Sequence, residues 1–64
     1  MNTQRNYTST FVKYRDARFF WRWRLVAING RIIADSSEGY NNEADCDHGI
    51  TLVKDAFRSP TTKR

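Results

Sequence analysis

The stretch Trp21-Arg22-Trp23-Arg24-Leu25-Val26-Ala27-Ile28-Asn29-Gly30 decides the fold. Large apolar and charged residues alternate at its start, which is the period-two pattern of a strand with one buried face. One face of this strand receives Trp21, Trp23, Leu25 and Ala27, and the other receives Arg22, Arg24, Val26 and Ile28. The following Asn-Gly pair tolerates the positive φ angles of a two-residue type I′ turn. The sequence therefore predicts a β-hairpin with a second strand from Arg31 to Asp35 or Ser36.

Outward from this hairpin, the sequence predicts one more strand and one helix. Aromatic and β-branched residues favour a strand from Thr10 to Arg15, before a short connection. Downstream, Asn41 or Asn42 is suited to cap the N-terminus of a helix. Apolar residues then recur at helical spacing, at Cys46, Ile50, Val53 and Phe57. Gly49 interrupts this helix and indicates a close approach to the sheet, and Pro60 disfavours its continuation beyond Phe57.

These elements define an α+β fold of the order β-β-β-α, with a three-stranded antiparallel sheet and one helix packed on one face. Residues 1–9 are polar and aperiodic and are expected to form a flexible lead-in. Residues 10–57 form the predicted domain, and residues 58–64 a short basic tail.

Length and composition exclude several classes of protein. Sixty-four residues leave room for one small domain, and one cysteine cannot form a disulfide within the chain. This excludes a multidomain enzyme and a disulfide-stapled scaffold, and it makes a partner subunit the expected source of extra stability. Neither a signal-peptide pattern nor a membrane-length apolar run is present, so we expect a cytoplasmic protein without a membrane partner.

The net charge of +4 is unevenly distributed. Residues 1–34 carry seven basic side chains against one acidic, whereas residues 35–57 carry six acidic against one basic. A basic half suggests an anionic partner. It is equally compatible with basic and acidic elements that face each other, within one subunit or between two.

Several motifs resemble the YegP-like family of small domains of unknown function. They are Tyr14-x-Asp16, Trp21-Arg22-Trp23-Arg24-Leu25, Ala27, Asn29-Gly30, Ile32-Ile33-Ala34, Ser36-x-Glu38-Gly39-Tyr40 and Gly49-Ile50-x-x-Val53. The resemblance covers roughly residues 11–57. It implies units of three strands and a helix that build one continuous sheet, as tandem repeats or as two subunits, with exchanged C-terminal strands.

For a chain with one such unit, the resemblance implies a homodimer. Thr61-Thr62-Lys63-Arg64 is the segment available for an exchanged strand, behind Pro60. Phe19 stands where the family usually has a glycine in the first hairpin. The resemblance carries no catalytic residue over to this chain.

The cluster Asp45-Cys46-Asp47-His48 is the strongest candidate for chemistry, but its spacing does not favour a site. On a helix Cys46 and His48 point to nearly opposite sides, and Asp45 with His48 supplies too few ligands for zinc. We therefore expect a solvated acidic first turn with one buried cysteine, and no catalytic residue, metal or cofactor.

The remaining candidates are basic and aromatic. Tyr14, Arg15, Arg22, Arg24 and Arg31 are the predicted contact residues for a partner or for nucleic acid. Exposed aromatics beside arginines are typical of single-stranded nucleic-acid binding, but tryptophans covered by the helix cannot stack bases. The favoured function is a small non-enzymatic homodimeric interaction module, which can also bind an unidentified protein partner. The alternative is a single-stranded nucleic-acid-binding module. Apolar residues are also expected on the helix-free face, namely Val12, Tyr14, Val26, Ile28 and Ile33.

Overall fold

A computed structural model describes residues 8–64 and confirms the predicted order of three strands and a helix. The elements are β1 (Ser9–Arg15), β2 (Trp21–Ala27), β3 (Ile32–Asp35) and α1 (Glu43–Asp55), followed by a 3₁₀ turn (Ala56–Arg58). Strand β1 begins one residue earlier than predicted. The proposed lead-in otherwise lies outside the described residues, apart from Thr8, whose carbonyl accepts a hydrogen bond from Ile28 N.

The strands form one antiparallel sheet in the order β1-β2-β3. Strand β1 pairs with β2 so that Lys13 opposes Trp23 and Tyr14 opposes Arg22. Because side chains alternate along a strand, the sheet has two distinct faces. The face that carries Trp23 is covered by α1, and we call the other the open face. The division of the β2 side chains between faces is as predicted.

The turn between β2 and β3 is not the predicted two-residue type I′ turn. Gly30 N donates to the Ala27 carbonyl and Ala27 N donates to the Arg31 carbonyl, both at 2.8 Å, which closes a three-residue loop. Of the loop residues only Gly30 has a positive φ, at 90°. The carboxamide oxygen of Asn29 accepts a hydrogen bond from Arg31 N at 3.0 Å. This bond stabilises the three-residue loop, in which Gly30 and not Asn29 adopts the left-handed conformation.

Strand β3 contains a β-bulge. Leu25 opposes Ala34 whereas Val26 opposes Ile32, so Ile33 is the extra residue. Ile32 and Ile33 are each 56% exposed. Ile32 opposes Val26 and so shares the open face, whereas the bulge interrupts the alternation at Ile33, whose place on that face stays a prediction.

The core lies between α1 and the helix-covered face. Its buried hydrophobic residues, among those the structure describes, are Trp23, Cys46 and Ile50. Partly buried side chains surround them, namely Phe11, Trp21, Leu25, Ala34, Tyr40 and Val53. The Phe11 ring meets that of Trp23 edge to face, with centroids 5.5 Å apart. The predicted buried cysteine and tryptophan are thus confirmed; the side chain of Phe57 lies outside the described part of the chain.

Both ends of α1 follow local sequence signals. Asn42 caps the N-terminus, where its side-chain oxygen accepts a hydrogen bond from Asp45 N at 2.9 Å. The α-helix ends at Asp55, and the 3₁₀ turn that follows ends two residues before Pro60. No helix within residues 8–64 is long and apolar enough to cross a membrane.

The acidic start of α1 meets the basic strand β1. Lys13 Nζ lies 2.6 Å from Glu43 Oε2 and 2.7 Å from Asp47 Oδ1. The uneven charge distribution is therefore matched in part within one subunit, at the edge of the helix-covered face.

Candidate functional site

Three of the five predicted contact residues share the open face. Tyr14 and Arg22 oppose each other across β1 and β2, and Arg24 lies two residues further along β2. The guanidinium carbon of Arg24 is 4.4 Å from the centroid of the Tyr14 ring. This cation–π contact holds the Arg24 guanidinium over the aromatic face and leaves its N–H groups available to a ligand.

The prediction that Arg15 joins this group is wrong. Arg15 opposes Trp21 on the helix-covered face, and its guanidinium carbon is 4.9 Å from the Trp21 ring centroid. The reason is the strict alternation along β1, which places neighbouring residues Tyr14 and Arg15 on opposite faces.

Arg31 is also separated from the group. It follows the β2–β3 turn, whereas Tyr14 and Arg22 lie near the β1–β2 turn. The seven residues of β2 separate the two turns by about 20 Å at the usual rise per strand residue. Arg31 and Arg22 therefore cannot contact one small ligand together.

Asp16, which was not among the predicted site residues, organises the β1–β2 turn. Its Oδ1 accepts hydrogen bonds from Arg18 N at 2.8 Å and Phe20 N at 3.0 Å, and its Oδ2 lies 2.6 Å from Arg22 Nε. The Arg22 guanidinium, followed by the backbone hydrogen bonds, holds the pKa of the Asp16 carboxyl below its usual range. The same ion pair raises the pKa of Arg22. An aspartate at the start of a hairpin loop is a recognised turn signal, and it was available in the sequence.

Arg22 also connects the β1–β2 turn to the loop after β3. Its Nη1 donates to the Ser37 carbonyl at 3.2 Å, and Ser37 N in turn donates to Asp35 Oδ1 at 3.0 Å. Ser36 is likewise engaged in this loop, because its hydroxyl donates to the Glu38 carbonyl at 2.9 Å. The Ser36 side chain therefore satisfies backbone groups of this loop and of β2, since its Oγ also accepts a hydrogen bond from Trp23 N at 3.4 Å.

A shallow depression opens between the open face and the β1–β2 turn. Its volume is about 480 Å³. The lining consists of Tyr14, Asp16, Ala17, Arg18, Arg22 and Arg24. Three arginines and one carboxylate give this depression a positive character, so it suits an anion better than a cation.

A second depression has a different character. It lies between β1 and the C-terminal half of α1, has a volume of about 440 Å³, and is mostly apolar. Its lining consists of Ser9, Phe11, Leu25, Val53 and Lys54. The Lys54 ammonium is 5.6 Å from the Phe11 ring centroid at its border. We call this depression the β1 groove.

The cluster at the start of α1 does not assemble a site. Cys46 is buried whereas Asp45, Asp47 and His48 are exposed. Burial raises the pKa of the Cys46 thiol, which disfavours the reactive thiolate. Within residues 8–64, no group of three or more His, Cys, Asp or Glu side chains is placed to hold a metal ion.

Fold and surface together define a small α+β domain with a half-covered sheet and an arginine-rich open face. The chain belongs to the family described as a domain of unknown function (DUF1508), whose model matches residues 20–63. This confirms the resemblance to the YegP-like family seen in the sequence.

Relatives and a solved structure support the same assignment. A UPF0339 protein of Neisseria meningitidis serogroup B is 40% identical over 53 residues, which cover 83% of this chain and 93% of that protein. A UPF0339 protein of Methanosarcina acetivorans is 47% identical over 47 residues, or 73% and 79% of the two chains. The solution structure of a protein from Haloferax volcanii matches with a TM-score of 0.78 and 38% identity, over 89% of this chain and 97% of that one.

Proposed function

We propose that this protein is a small non-enzymatic interaction module that works as a homodimer with a shared sheet. The observation that carries the proposal is the outer edge of β1, which no strand within residues 8–64 pairs with and which runs beside the β1 groove. A strand added at this edge would complete backbone hydrogen bonds and cover apolar side chains at the same time.

The hydrogen-bond pattern identifies the outward backbone groups of β1. Thr8 and Ile28 are hydrogen bonded at one end of the β1–β2 ladder, and Asp16 and Phe20 at the other. Hydrogen-bonded pairs alternate in an antiparallel ladder, so every second residue between them also bonds to β2. The residues left with outward N–H and C=O groups are Ser9, Phe11, Lys13 and Arg15.

The other edge of the sheet is less suited to pairing. Strand β3 has four residues, and the bulge at Ile33 disturbs its ladder. Bulges and short strands are common means of preventing edge-to-edge association. The longer and regular β1 edge is therefore the better candidate for a shared sheet.

The tail supplies a segment that a partner subunit can accept. Residues 59–64 are exposed throughout, and Ser59 has extended backbone angles. Thr61 and Thr62 are β-branched and favour a strand. Exchange of this segment between two subunits would add a strand at each β1 edge and would give a domain of 64 residues more buried surface.

Light scattering across a range of protein concentrations tests the homodimer, with an expected mass about twice 7.6 kDa. Ser9→Pro removes an outward N–H without changing the bonds to β2, and we expect it to weaken dimerisation about tenfold, as for one lost hydrogen bond. Ser9→Ala is the matched control, since it keeps the N–H. A monomer at all concentrations contradicts the proposal. Dissociation by Ile32→Lys but not by Ser9→Pro places the interface at β3.

Single-stranded nucleic-acid binding is the second candidate, favoured by the Arg24–Tyr14 contact on the open face. Several observations oppose it. Trp21 and Trp23 lie on the helix-covered face and cannot stack bases, and Arg22 is already paired with Asp16. Fluorescence anisotropy of a labelled oligonucleotide, measured against salt concentration, tests it: specific use of this face requires binding that weakens steeply with salt.

A further inference from the structure

Two strained backbone positions point to the depression at the β1–β2 turn. Phe19 and Ser37 are the non-glycine residues with positive φ in the described part of the chain, at 68° and 53°. Phe19 N donates to the Asp16 carbonyl, and the Ser37 carbonyl accepts from Arg22. Both strained residues thus bond directly to the Asp16–Arg22 pair. Such conformations concentrate at functional sites, because the surrounding contacts must hold them.

The charges around the depression are not all neutralised. Asp16 pairs with Arg22, and Asp35 lies opposite Arg24 across β2 and β3, where its Oδ1 accepts a hydrogen bond from Ser37 N. Arg18 and Arg24 have no carboxylate partner within residues 8–64. Two guanidinium cations on two different elements therefore line one depression, and neither forms an ion pair within residues 8–64.

The side chains of Arg18 and Arg24 are positioned by different contacts. Tyr14 fixes the Arg24 guanidinium over its ring, so little side-chain freedom is left for a ligand to remove. Arg18 lies on the turn that Asp16 stabilises through its two backbone hydrogen bonds. Arg22 forms part of the wall and is kept in place by Asp16 and the Ser37 carbonyl.

We propose that this depression binds a phosphate ester group, with Arg18 and Arg24 as the residues that contact its oxygens. Guanidinium groups donate paired N–H groups that match the geometry of phosphate oxygens. The lining holds three arginines against one carboxylate, and this excess of positive charge favours the two negative charges of a phosphate monoester over the single charge of a carboxylate. The site does not depend on the proposed homodimer, because its principal residues lie on the open face and the turn, away from the β1 groove.

The phosphate can come from a small molecule or from a nucleic-acid backbone. Titration of ¹⁵N-labelled protein with inorganic phosphate, a nucleoside monophosphate and oligothymidylate separates these sources. We expect each ligand to shift the Arg18 and Arg24 Nε–Hε signals. Oligothymidylate that binds no more tightly than the monophosphate identifies a small-molecule site and rejects the nucleic-acid candidate. Much tighter oligonucleotide binding with a steep salt dependence identifies the backbone as the source.

Single substitutions decide whether the depression itself is responsible. Arg18→Gln and Arg24→Gln should each weaken phosphate binding about tenfold, as expected for loss of a charge-assisted contact. Arg31→Gln is the matched control, because it removes the same charge from the opposite end of the sheet. An equal loss with Arg31→Gln, or no response of the wild-type protein to millimolar phosphate, overturns the proposal.

Tyr14 is a positioning residue in this proposal, and its role has a separate test. Tyr14→Phe keeps the aromatic ring and should bind phosphate as the wild type does. Tyr14→Leu removes the ring and should weaken binding, together with a loss of the ring-current shift on the Arg24 side-chain signals. A loss of binding without a change in those signals would show that Tyr14 acts in another way.

Discussion

Gly49 of α1 lies directly against the phenol of Tyr40. A β-carbon built at Gly49 would be 2.7 Å from the Tyr40 hydroxyl oxygen and 3.2 Å from its Cζ atom. Tyr40 is itself fixed to the sheet, because its N–H and carbonyl both hydrogen bond to Trp21. The glycine therefore allows the helix to approach the sheet at this point, as its position in the sequence indicated.

Substitution of Gly49 by alanine should lower stability although alanine favours helices. The gain in helix propensity is about 1 kcal/mol, whereas overpacking against a fixed neighbour typically costs about 1–3 kcal/mol. We expect a net loss of stability in chemical denaturation. Tyr40→Phe removes the closest atom, so the alanine substitution should cost less in that background. A stabilised Gly49→Ala variant would show that Tyr40 can move aside.

Introducing glycine into the β1–β2 loop and removing glycine from the β2–β3 loop should have opposite effects on stability. Phe19 and Gly30 occupy equivalent left-handed positions, with φ of 68° and 90°. The left-handed region costs a residue with a β-carbon about 1–2 kcal/mol, part of which is offset because glycine loses more freedom on folding. Phe19→Gly should therefore raise stability by about 0.5–1 kcal/mol.

Gly30→Ala provides the complementary measurement. A β-carbon at Gly30 would meet no atom within 4 Å, so its cost comes from the backbone alone. We expect a loss of about 1 kcal/mol in denaturant unfolding. If Phe19→Gly instead lowers stability, the 72%-exposed ring of Phe19 makes a contact in solution that outweighs its backbone strain.

The parts of the fold that could be predicted are those determined by local pattern. The alternation of apolar and charged residues around Trp23 predicts strand β2 and its buried face, and Asn42 indicates the start of the helix. The turn at Gly30 was assigned the wrong geometry, because an Asn-Gly pair permits both a two-residue and a three-residue loop. The side-chain hydrogen bond from Asn29 that favours the longer loop appears only when the chain is folded.

The candidate site was predicted less completely than the fold. Alternation correctly placed Arg22 and Arg24 on one face, but Arg15 was grouped with Tyr14 although the same alternation separates them. The pairing of Arg22 with both Asp16 and the Ser37 carbonyl depends on how two loops meet. Contacts between loops are not encoded in the period of a strand, so composition alone overstated the free positive charge.

Cys46 should be inert in the folded protein. Its side chain is completely buried, and burial raises the pKa of its thiol. The rate of reaction with a thiol reagent should therefore follow the fraction of unfolded protein as denaturant is added. Ala44→Cys is the control, because residue 44 is exposed on the same helix and should react at once. Rapid labelling of Cys46 in the native protein would show that α1 detaches easily from the sheet.

The Asp16–Arg22 ion pair predicts how stability depends on acid. The pKa of Asp16 is lowered in the folded protein, so the folded state favours the ionised carboxylate. The resulting stabilisation is present above the unfolded pKa of about 4 and is lost as the pH falls through the lower folded value. Asp16→Asn keeps an oxygen that accepts the backbone hydrogen bonds of the turn but removes the charge beside Arg22.

Thermal melting of the wild type and Asp16→Asn across pH measures this contribution. The variant should melt at a lower temperature near neutral pH, and the difference should shrink as the pH falls below about 4. Arg22→Gln removes the same pair from the other side, so Asp16→Asn should have little further effect in that background. A difference that stays constant through the acid range would mean that Asp16 stabilises the turn through its hydrogen bonds and not through its charge.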